Sequence, residues 1–225
     1  MKHFLFYVEE AIKNNWDKPA ISNYGANTFT FAEVAANVAR MHILLNRCNI
    51  KKGDHVAIAA RSSAEWCAAF IGITSYGAVA VPLLPDFLPE NLAQLTKVSN
   101  SRMLLVDKNI LHGLQRASVI GNFAEYDNFT AVIDIVTYNA VEGYEKMADV
   151  TADEVDRLFA GRYPAGVTVE NFALPMGELD DLSVISYTSG TSSSPKGVML
   201  PARSLSGNVE MAQKLVPIAI DERGS

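Results

Sequence analysis

One segment organises this chain: Tyr187-Thr188-Ser189-Gly190-Thr191-Ser192-Ser193-Ser194-Pro195-Lys196-Gly197-Val198. An apolar run with β-branched residues at 182–187 leads into it and predicts a largely buried strand. Residues 198–200 predict a second strand, which Pro201 ends. Between the two strands lie residues with hydroxyl side chains and a glycine, and this stretch ends with a single cation, Lys196. Backbone N–H groups, O–H donors and an ammonium group on a flexible stem suit a polyphosphate ligand.

Composition alone does not decide what this segment does, because clusters of Ser, Thr and Gly between strands are usually solvated turns. The order of the residues favours a ligand. A Walker A loop places Gly-Lys before Ser or Thr and leads from a strand into a helix. Here Lys196 stands between Pro195 and Gly197 and leads into a predicted strand. The segment therefore predicts a phosphate-binding loop that is not a Walker A loop.

The chain begins with a predicted helix at 4–14 and a predicted hairpin of strands 20–22 and 28–30. Strands and helices alternate along the rest of the chain. Apolar runs predict strands at 55–60, 78–81, 103–106 and 131–133. Helical patterns predict helices that begin near residues 31, 64, 89, 109, 152 and 202. Apolar strands that alternate with helices are typical of parallel pairing. We therefore expect an α/β fold, a layered sandwich with a largely parallel sheet flanked by helices and right-handed crossovers.

Local signals predict where several elements begin and end. Two capping-box patterns predict helix starts, Thr30–Glu33 and Ser62–Glu65. Gly77 stands where a glycine commonly ends a helix, and Pro89 suits the first position of the next helix. Pro82 is expected to end the strand at 78–81.

The composition is that of an ordinary globular protein, with 225 residues of which 49% are hydrophobic and 20% charged. The net charge of −6 argues against non-specific nucleic-acid binding, which needs a basic surface. It does not exclude ATP, because a loop and a metal ion supply positive potential locally.

Cys48 and Cys67 are the only cysteines, and both fall in helix-like stretches, so we interpret them as reduced thiols of a cytoplasmic protein. The first ten residues hold too short an apolar run for a signal peptide. Residues 66–85 carry no charge over about the length of a membrane-spanning helix. Because Gly77 and Pro82 interrupt this stretch, it predicts a buried helix and a buried strand. We expect no transmembrane segment, which leaves peripheral membrane contact open.

Candidate metal ligands do not form a recognisable set. The four histidines are scattered without metal-ligand spacing. A cluster of acidic residues lies further on, and a solvated helical surface explains it better than a metal site: Glu142, Glu145, Asp149, Asp153, Glu154 and Asp156. No metal site built from protein side chains is predicted.

The 187–198 segment closely resembles the phosphate-binding loop of the adenylate-forming (AMP-binding) superfamily, which includes acyl-CoA synthetases, luciferases and peptide-synthetase adenylation domains. Residues 28–34 are similar to the superfamily's opening Leu-Thr-Tyr-x-Glu-Leu motif, and residues 76–83 to its Gly-Ala-x-x-Val-Pro motif. The Glu65-Trp66 pair is similar to long-chain fatty acyl-CoA synthetases in particular. One departure is Ser193, which stands where the family usually carries a glycine and restricts the backbone there.

The resemblance implies ATP-dependent activation of a carboxylate, which gives an acyl-adenylate and then, with coenzyme A, a thioester. It implies a fatty acid as substrate, with an aryl or amino acid and a carrier-protein thiol as open alternatives. It also implies Mg²⁺ bridging the phosphates. The residues expected to bind the ATP phosphates are Thr188, Ser189, Gly190, Thr191, Ser192, Ser193 and Lys196.

Family members extend well beyond a segment of this length, and their catalytic lysine lies in a later domain. Residues 1–225 are therefore expected to be the N-terminal part of such an enzyme, with no catalytic residue and no activity of their own. A non-catalytic module of the same fold that binds phosphate or a partner protein remains the alternative.

Overall fold

The computed structural model describes residues 1–23, 25–119, 123, 129–141, 149–188 and 196–215. Strands and helices alternate in the predicted order. Their bounds are α1 (Phe4–Asn14), β1 (Pro19–Ser22), β2 (Thr28–Thr30), α2 (Phe31–Arg47), β3 (His55–Ala59), α3 (Ala64–Tyr76), β4 (Val79–Leu83), α4 (Pro89–Val98), β5 (Ser101–Val106), α5 (Lys108–Arg116), β6 (Ala131–Asp134), α6 (Ala152–Arg162), β7 (Leu182–Thr188), β8 (Lys196–Pro201) and α7 (Ala202–Leu215).

The described strands form two sheets. β1 and β2 pair as a small antiparallel hairpin, and the other six form one sheet in the order β6-β5-β3-β4-β7-β8. Strands β3 to β7 run parallel to one another, and only β8 at the edge is antiparallel to its neighbour. The predicted α/β fold with a largely parallel sheet and an added strand–loop–strand is confirmed.

Both faces of the sheet are buried, and the strands show it residue by residue. In β3, Val56 and Ile58 pack with residues of α2 and α3, whereas Ala57 and Ala59 pack with residues of α4 and α5. None of these four side chains retains exposed surface. Successive side chains of a strand point to opposite faces, so a strand that is apolar throughout needs helices on both sides of the sheet.

The cap signals mark most helix ends correctly. Thr30 Oγ1 accepts the Glu33 N–H at 3.2 Å and the Glu33 carboxylate accepts the Thr30 N–H at 2.7 Å, so the first capping box is confirmed. Gly77 ends α3 with φ 85°, a left-handed conformation that favours glycine. Pro89 begins α4 as predicted.

Residues 66–85 form most of α3 and all of β4, as predicted. Within the described ranges, no helix combines the length and the apolar character needed to cross a membrane.

The second predicted capping box is wrong. Ser63, not Ser62, caps α3, and its Oγ accepts the Trp66 N–H at 3.1 Å. Glu65 is engaged elsewhere, since its carboxylate accepts the Asn23 side-chain amide at 3.1 Å. Asn23 follows β1 and also accepts the Ala64 N–H at 2.8 Å. A contact that is distant in sequence therefore replaces the reciprocal local bond of a capping box.

The predicted strand end at Pro82 is wrong, whereas the predicted strand end at Pro201 is confirmed. Pro82 lies within β4 opposite Ile58, and β8 ends at Pro201. A proline needs a position where the ladder does not use its missing N–H. β4 pairs with β7 through Ala80 and Val184, and Pro82 lies past that pair.

His42 is partly buried between α2 and α3. Its Nε2 lies 2.8 Å from Ser75 Oγ, and its ring centroid lies 5.8 Å from that of Tyr76. Burial, with a smaller contribution from the Arg162 charge, lowers the pKa of His42 from 6.5 to about 4. Because the native state disfavours the imidazolium while the unfolded chain accepts it, the proton binds preferentially to the unfolded chain between these pH values.

This difference predicts a pH-dependent loss of stability below pH 6.5. The His42 contribution is intact above pH 6.5, declines as the pH falls, and is lost below about 4. It amounts to at most about 3.5 kcal/mol, from ~1.4 kcal/mol per pKa unit over the change from 6.5 to about 4. Urea unfolding at pH 4.5 and 7 measures it in the wild type and in His42→Gln, which cannot titrate. The variant should show a smaller drop in the free energy of unfolding, and an identical drop in both proteins would contradict the prediction.

Candidate functional site

The predicted phosphate-binding loop connects the antiparallel strands β7 and β8. The register pairs Tyr187 with Gly197 and Thr188 with Lys196, so the first and last predicted site residues stand opposite each other where the loop leaves the sheet. The prediction that this loop lies between two strands is confirmed. The remaining predicted phosphate ligands lie outside the described residues: Ser189, Gly190, Thr191, Ser192 and Ser193.

The loop leaves the sheet at the edge where the parallel strands end. β4 and β7 run in the same direction, so the carboxyl end of β7 at Thr188 lies on the same edge as those of β3 to β6. In open α/β sheets, ligands bind outside the carboxyl ends of the strands. The position of the loop therefore agrees with a ligand-binding role.

Lys196 carries a positive charge that no described carboxylate neutralises. Its side chain is exposed, and the six ion pairs found among the described residues do not involve it. Lys52 provides a contrast: its Nζ lies 2.9 Å from Asp181 Oδ2, which raises the pKa of Lys52 and lowers that of Asp181. An ammonium group without a nearby carboxylate is suited to an incoming anion.

The turn before β7 ties the hairpin to the rest of the fold. Asp181 Oδ2 accepts the Glu178 N–H at 3.0 Å, and the Asp181 carbonyl accepts the Ala202 N–H at 2.9 Å. Arg203 donates its N–H to the Leu179 carbonyl at 2.8 Å. The start of β7 and the start of α7 are thus joined through backbone hydrogen bonds below the hairpin.

Gly197 makes room for an aromatic ring. A Cβ atom at Gly197 would lie 3.1 Å from Cε1 and 3.3 Å from Cζ of Tyr187, and 3.4 Å from Cγ2 of Ile185. The Tyr187 ring is half-buried, and burial raises the pKa of its phenol. The missing side chain of Gly197 thus leaves room for the Tyr187 ring on the partner strand.

Sequence reasoning did not find this pair, because it depends on the register of β7 against β8. The available signal was the equal distance of both residues from the loop: Tyr187 stands one position before Thr188, and Gly197 one position after Lys196.

The acidic residues on α6 form ion pairs with α2. Glu154 lies 2.8 Å from Arg47 Nε, and Asp156 lies 2.8 Å from Arg40 Nε. Glu142 and Glu145 lie outside the described residues. Among the described residues, no three His, Cys, Asp or Glu side chains converge as metal ligands would.

The Glu65-Trp66 pair has structural roles. Glu65 accepts the Asn23 amide and so joins the β1–β2 hairpin to α3. The Trp66 ring stacks on the Phe70 ring, with centroids 5.4 Å apart and planes at 8°. These contacts account for both residues without reference to an acyl substrate.

Residues 8–223 match the model of a protein family described as AMP-binding enzyme. The chain belongs to this family. The match covers all three segments on which the resemblance rests, so the prediction of the family is confirmed.

Relatives of known description include both peptide synthetases and CoA ligases. Surfactin synthase subunit 2 of Bacillus subtilis (strain 168) is 28% identical over 203 residues, which cover 90% of this chain and 5% of the relative. 4-Coumarate:CoA ligase 1 of Petunia hybrida is 28% identical over 204 residues, which cover 88% of this chain and 32% of the relative. The chain thus spans one twentieth to one third of the length of these relatives.

Solved structures show the same fold. An anthranilate CoA ligase, AuaEII, in complex with anthranoyl-AMP superposes with a TM-score of 0.72 at 20% identity, covering 97% of this chain and 37% of that one. The inhibitor-bound N-terminal domain of FACL13 from Mycobacterium tuberculosis superposes with a TM-score of 0.66 at 24% identity, covering 92% of this chain and 46% of that one. At these identities the likeness establishes the fold alone.

The Tyr187–Gly197 contact predicts that Gly197→Ala destabilises the chain. An alanine in a strand normally gains stability over glycine, but here the new methyl group overlaps the tyrosine ring, and we expect a loss of about 1 kcal/mol. In a Tyr187→Ala background the same change should become neutral or stabilising. Urea unfolding of the four proteins measures this coupling.

Gly207→Ala is the matched control. Gly207 lies in α7, and a Cβ there would have no atom within 4 Å. This change should stabilise the chain by up to ~1 kcal/mol, because alanine favours helix more than glycine does. If Gly197→Ala gains as much as Gly207→Ala, the proposed packing of Tyr187 on Gly197 is refuted.

Proposed function

We propose that this chain is the N-terminal part, residues 1–225, of an ATP-dependent enzyme that activates a carboxylate as an acyl-adenylate and then transfers the acyl group to a thiol. Family membership over residues 8–223 supports adenylate chemistry. The observation that carries the proposal is the hairpin itself: a hydroxyl- and glycine-rich loop between β7 and β8, closed by an exposed lysine at the carboxyl edge of the sheet.

In the proposed reaction a carboxylate oxygen attacks the α-phosphorus of ATP. The bond from that phosphorus to the bridging oxygen breaks, and pyrophosphate leaves with the bonding pair. A thiol, which we propose to be that of coenzyme A, then attacks the acyl carbon and displaces AMP. The first step develops negative charge on the departing pyrophosphate, so donors fixed around the β- and γ-phosphates stabilise its transition state.

We propose that the loop supplies those donors. Backbone N–H groups and hydroxyls would surround the phosphates, and the Lys196 ammonium would hold the loop or a phosphate oxygen. Lys196 is suited to this role because it is exposed and no described carboxylate neutralises it. The proposed phosphate-binding residues are Thr188, Ser189, Gly190, Thr191, Ser192, Ser193 and Lys196. No residue of this chain is proposed as catalytic, since the family's catalytic lysine belongs to a later domain.

Mg²⁺ is proposed as the counterion of the ATP phosphates. When bound, it would neutralise phosphate charge by coordinating oxygen atoms. The described residues offer no convergent set of three metal-ligating side chains for it, and we propose that the loop hydroxyls are the groups of this chain that would approach the ion. The role of this chain is then to position the phosphates.

The class of acid is proposed from sequence resemblance. A fatty acid was favoured on the Glu65-Trp66 pair, but both residues have structural roles here. A relative named for 4-coumarate supports an aryl acid as an alternative, and the superfamily's peptide-synthetase adenylation domains support an amino acid. We keep a fatty acid as the first candidate for the assay and treat the other two classes as alternatives.

We also propose a cytoplasmic location. Both cysteines are free, and Cys48 is buried, which raises the pKa of its thiol to about 12. A thiol that stays protonated is a poor nucleophile for disulfide exchange. These properties suit a reducing compartment.

Pyrophosphate exchange in the protein that contains this chain and its continuation tests the loop. Lys196→Ala and Thr191→Ala should each slow carboxylate-dependent exchange by about 100-fold or more, the usual effect of removing one transition-state donor. Neither should change the thermal midpoint appreciably. Lys214→Ala is the control, since Lys214 is an exposed lysine of α7 that lies outside residues 187–198. Equal rates for Lys196→Ala and Lys214→Ala would remove Lys196 from the mechanism.

The same assay over a panel of fatty, aryl and amino acids identifies the substrate class. The alternative of a non-catalytic phosphate- or partner-binding module predicts no exchange with any acid. It also predicts no Tyr-Gly-x-Thr-Glu segment and no late lysine in the protein beyond residue 225. Saturable exchange with one class of acid supports the enzyme and assigns its substrate.

A further inference from the structure

A cavity of about 420 Å³ is bordered by no described residue of β7 or β8 and has no part in the proposed adenylation. It is bordered by α2, α3, α6 and the turn that follows β6. The residues that give it its chemical character are Phe29, Glu33, Arg40, Glu65, Tyr138 and Asp156.

Tyr138 supplies a hydrogen-bonding group with no partner. Its side chain is only 8% exposed, and its hydroxyl forms no hydrogen bond with any described residue. In the described part of the chain, every fully buried side-chain oxygen or nitrogen does have a partner. The Tyr138 hydroxyl must therefore retain access to solvent, and the cavity is the open space that Tyr138 borders. Burial raises the pKa of this phenol, so it stays protonated at neutral pH.

The charges around the cavity are predominantly negative. Among the described residues, Arg40 is the one cation that borders the cavity. It is already paired with Asp156 at 2.8 Å, and its guanidinium lies 4.1 Å from the centre of the Phe159 ring. Glu33 and Glu65 have no cationic partner among the described residues. Glu33 accepts hydrogen bonds from Thr30, and Glu65 from the neutral Asn23 amide. Two uncompensated carboxylates thus face the same space as the free hydroxyl.

We propose that this cavity binds a small organic cation with primary ammonium groups, an aliphatic diamine or polyamine. An ammonium group has three donors and no acceptor, which matches an arrangement of carboxylate oxygens and a phenol oxygen. Phe29 and Tyr138 offer aromatic surface to the methylene chain and to the cation. The volume of the cavity is typical of a small-molecule site and far exceeds the volume of a single metal ion.

Calorimetric titration of the 225-residue chain with 1,4-diaminobutane tests the proposal. We expect saturable binding of one equivalent, and none of the neutral 1,4-butanediol or of glutarate. Glu65→Gln, which keeps the shape and an acceptor for Asn23, should weaken binding about tenfold or more, as the loss of a charged hydrogen bond does. Tyr138→Phe, which removes only the hydroxyl, should weaken it about three- to tenfold.

Asp153→Asn is the matched control, because Asp153 is an exposed carboxylate of α6 that does not border the cavity. It should leave the Kd for the diamine unchanged. Circular dichroism tests whether each variant folds. If Tyr138→Phe does not fold, the affinity of Glu65→Gln for the diamine decides the test. The proposal is overturned if the diamine does not saturate the chain by about 10 mM, which corresponds to a binding free energy weaker than about −3 kcal/mol. It is equally overturned if Asp153→Asn weakens binding as much as Glu65→Gln, or if MgCl₂ displaces the diamine at constant ionic strength.

Discussion

Burial on both faces of the parallel strands is the constraint on which the rest of the structure depends. In β3, alternate residues enter two different cores, one under α2 and α3 and one under α4 and α5. A strand in this setting requires helices on both sides, and each crossover helix returns the chain to begin the next strand in the same direction. The strands from β3 to β7 therefore end at one edge. The loop after β7 and the turn after β6 both lie there because of that shared direction.

Local chemistry made most of the fold predictable. Thr30 with Glu33, Gly77, Pro89 and Thr151 each act on backbone groups within a few residues, so their effect is visible in sequence. The wrong predictions share a different cause. The Glu65 carboxylate does not form the predicted capping box. It accepts a hydrogen bond from the side-chain amide of Asn23, which is 42 residues away in sequence. β4 continues past Pro82 because its pairing with β7 lies at Ala80 and Val184 and does not need an N–H at residue 82. Sequence patterns carry little information on such distant partners.

In the candidate site, too, local features were predictable from the sequence and contacts between distant segments were not. The order of residues at 187–198 was sufficient to predict the loop and its family, because a phosphate-binding loop is a contiguous segment. The packing of Tyr187 on Gly197 depends on the register between two strands and was not visible. Tyr138 gave no sequence signal at all, since it lies in a stretch without periodicity or motif. The Glu65-Trp66 pair shows the converse: a motif associated with one substrate class is explained here by packing and a hydrogen bond.

The pairing of charges explains how a chain with a net charge of −6 offers sites of opposite sign. A surface charge acts on a ligand mainly when no neighbour already neutralises it, because interactions between exposed charges are screened over about 10 Å. Lys196 meets no described carboxylate, so its exposed ammonium group stays without an ion pair among the described residues despite the acidic composition. Arg40 is paired with Asp156, so the carboxylates dominate the cavity near Tyr138. Net charge excludes a non-specific basic surface, but the sign of each site follows from which individual charges are left without a partner.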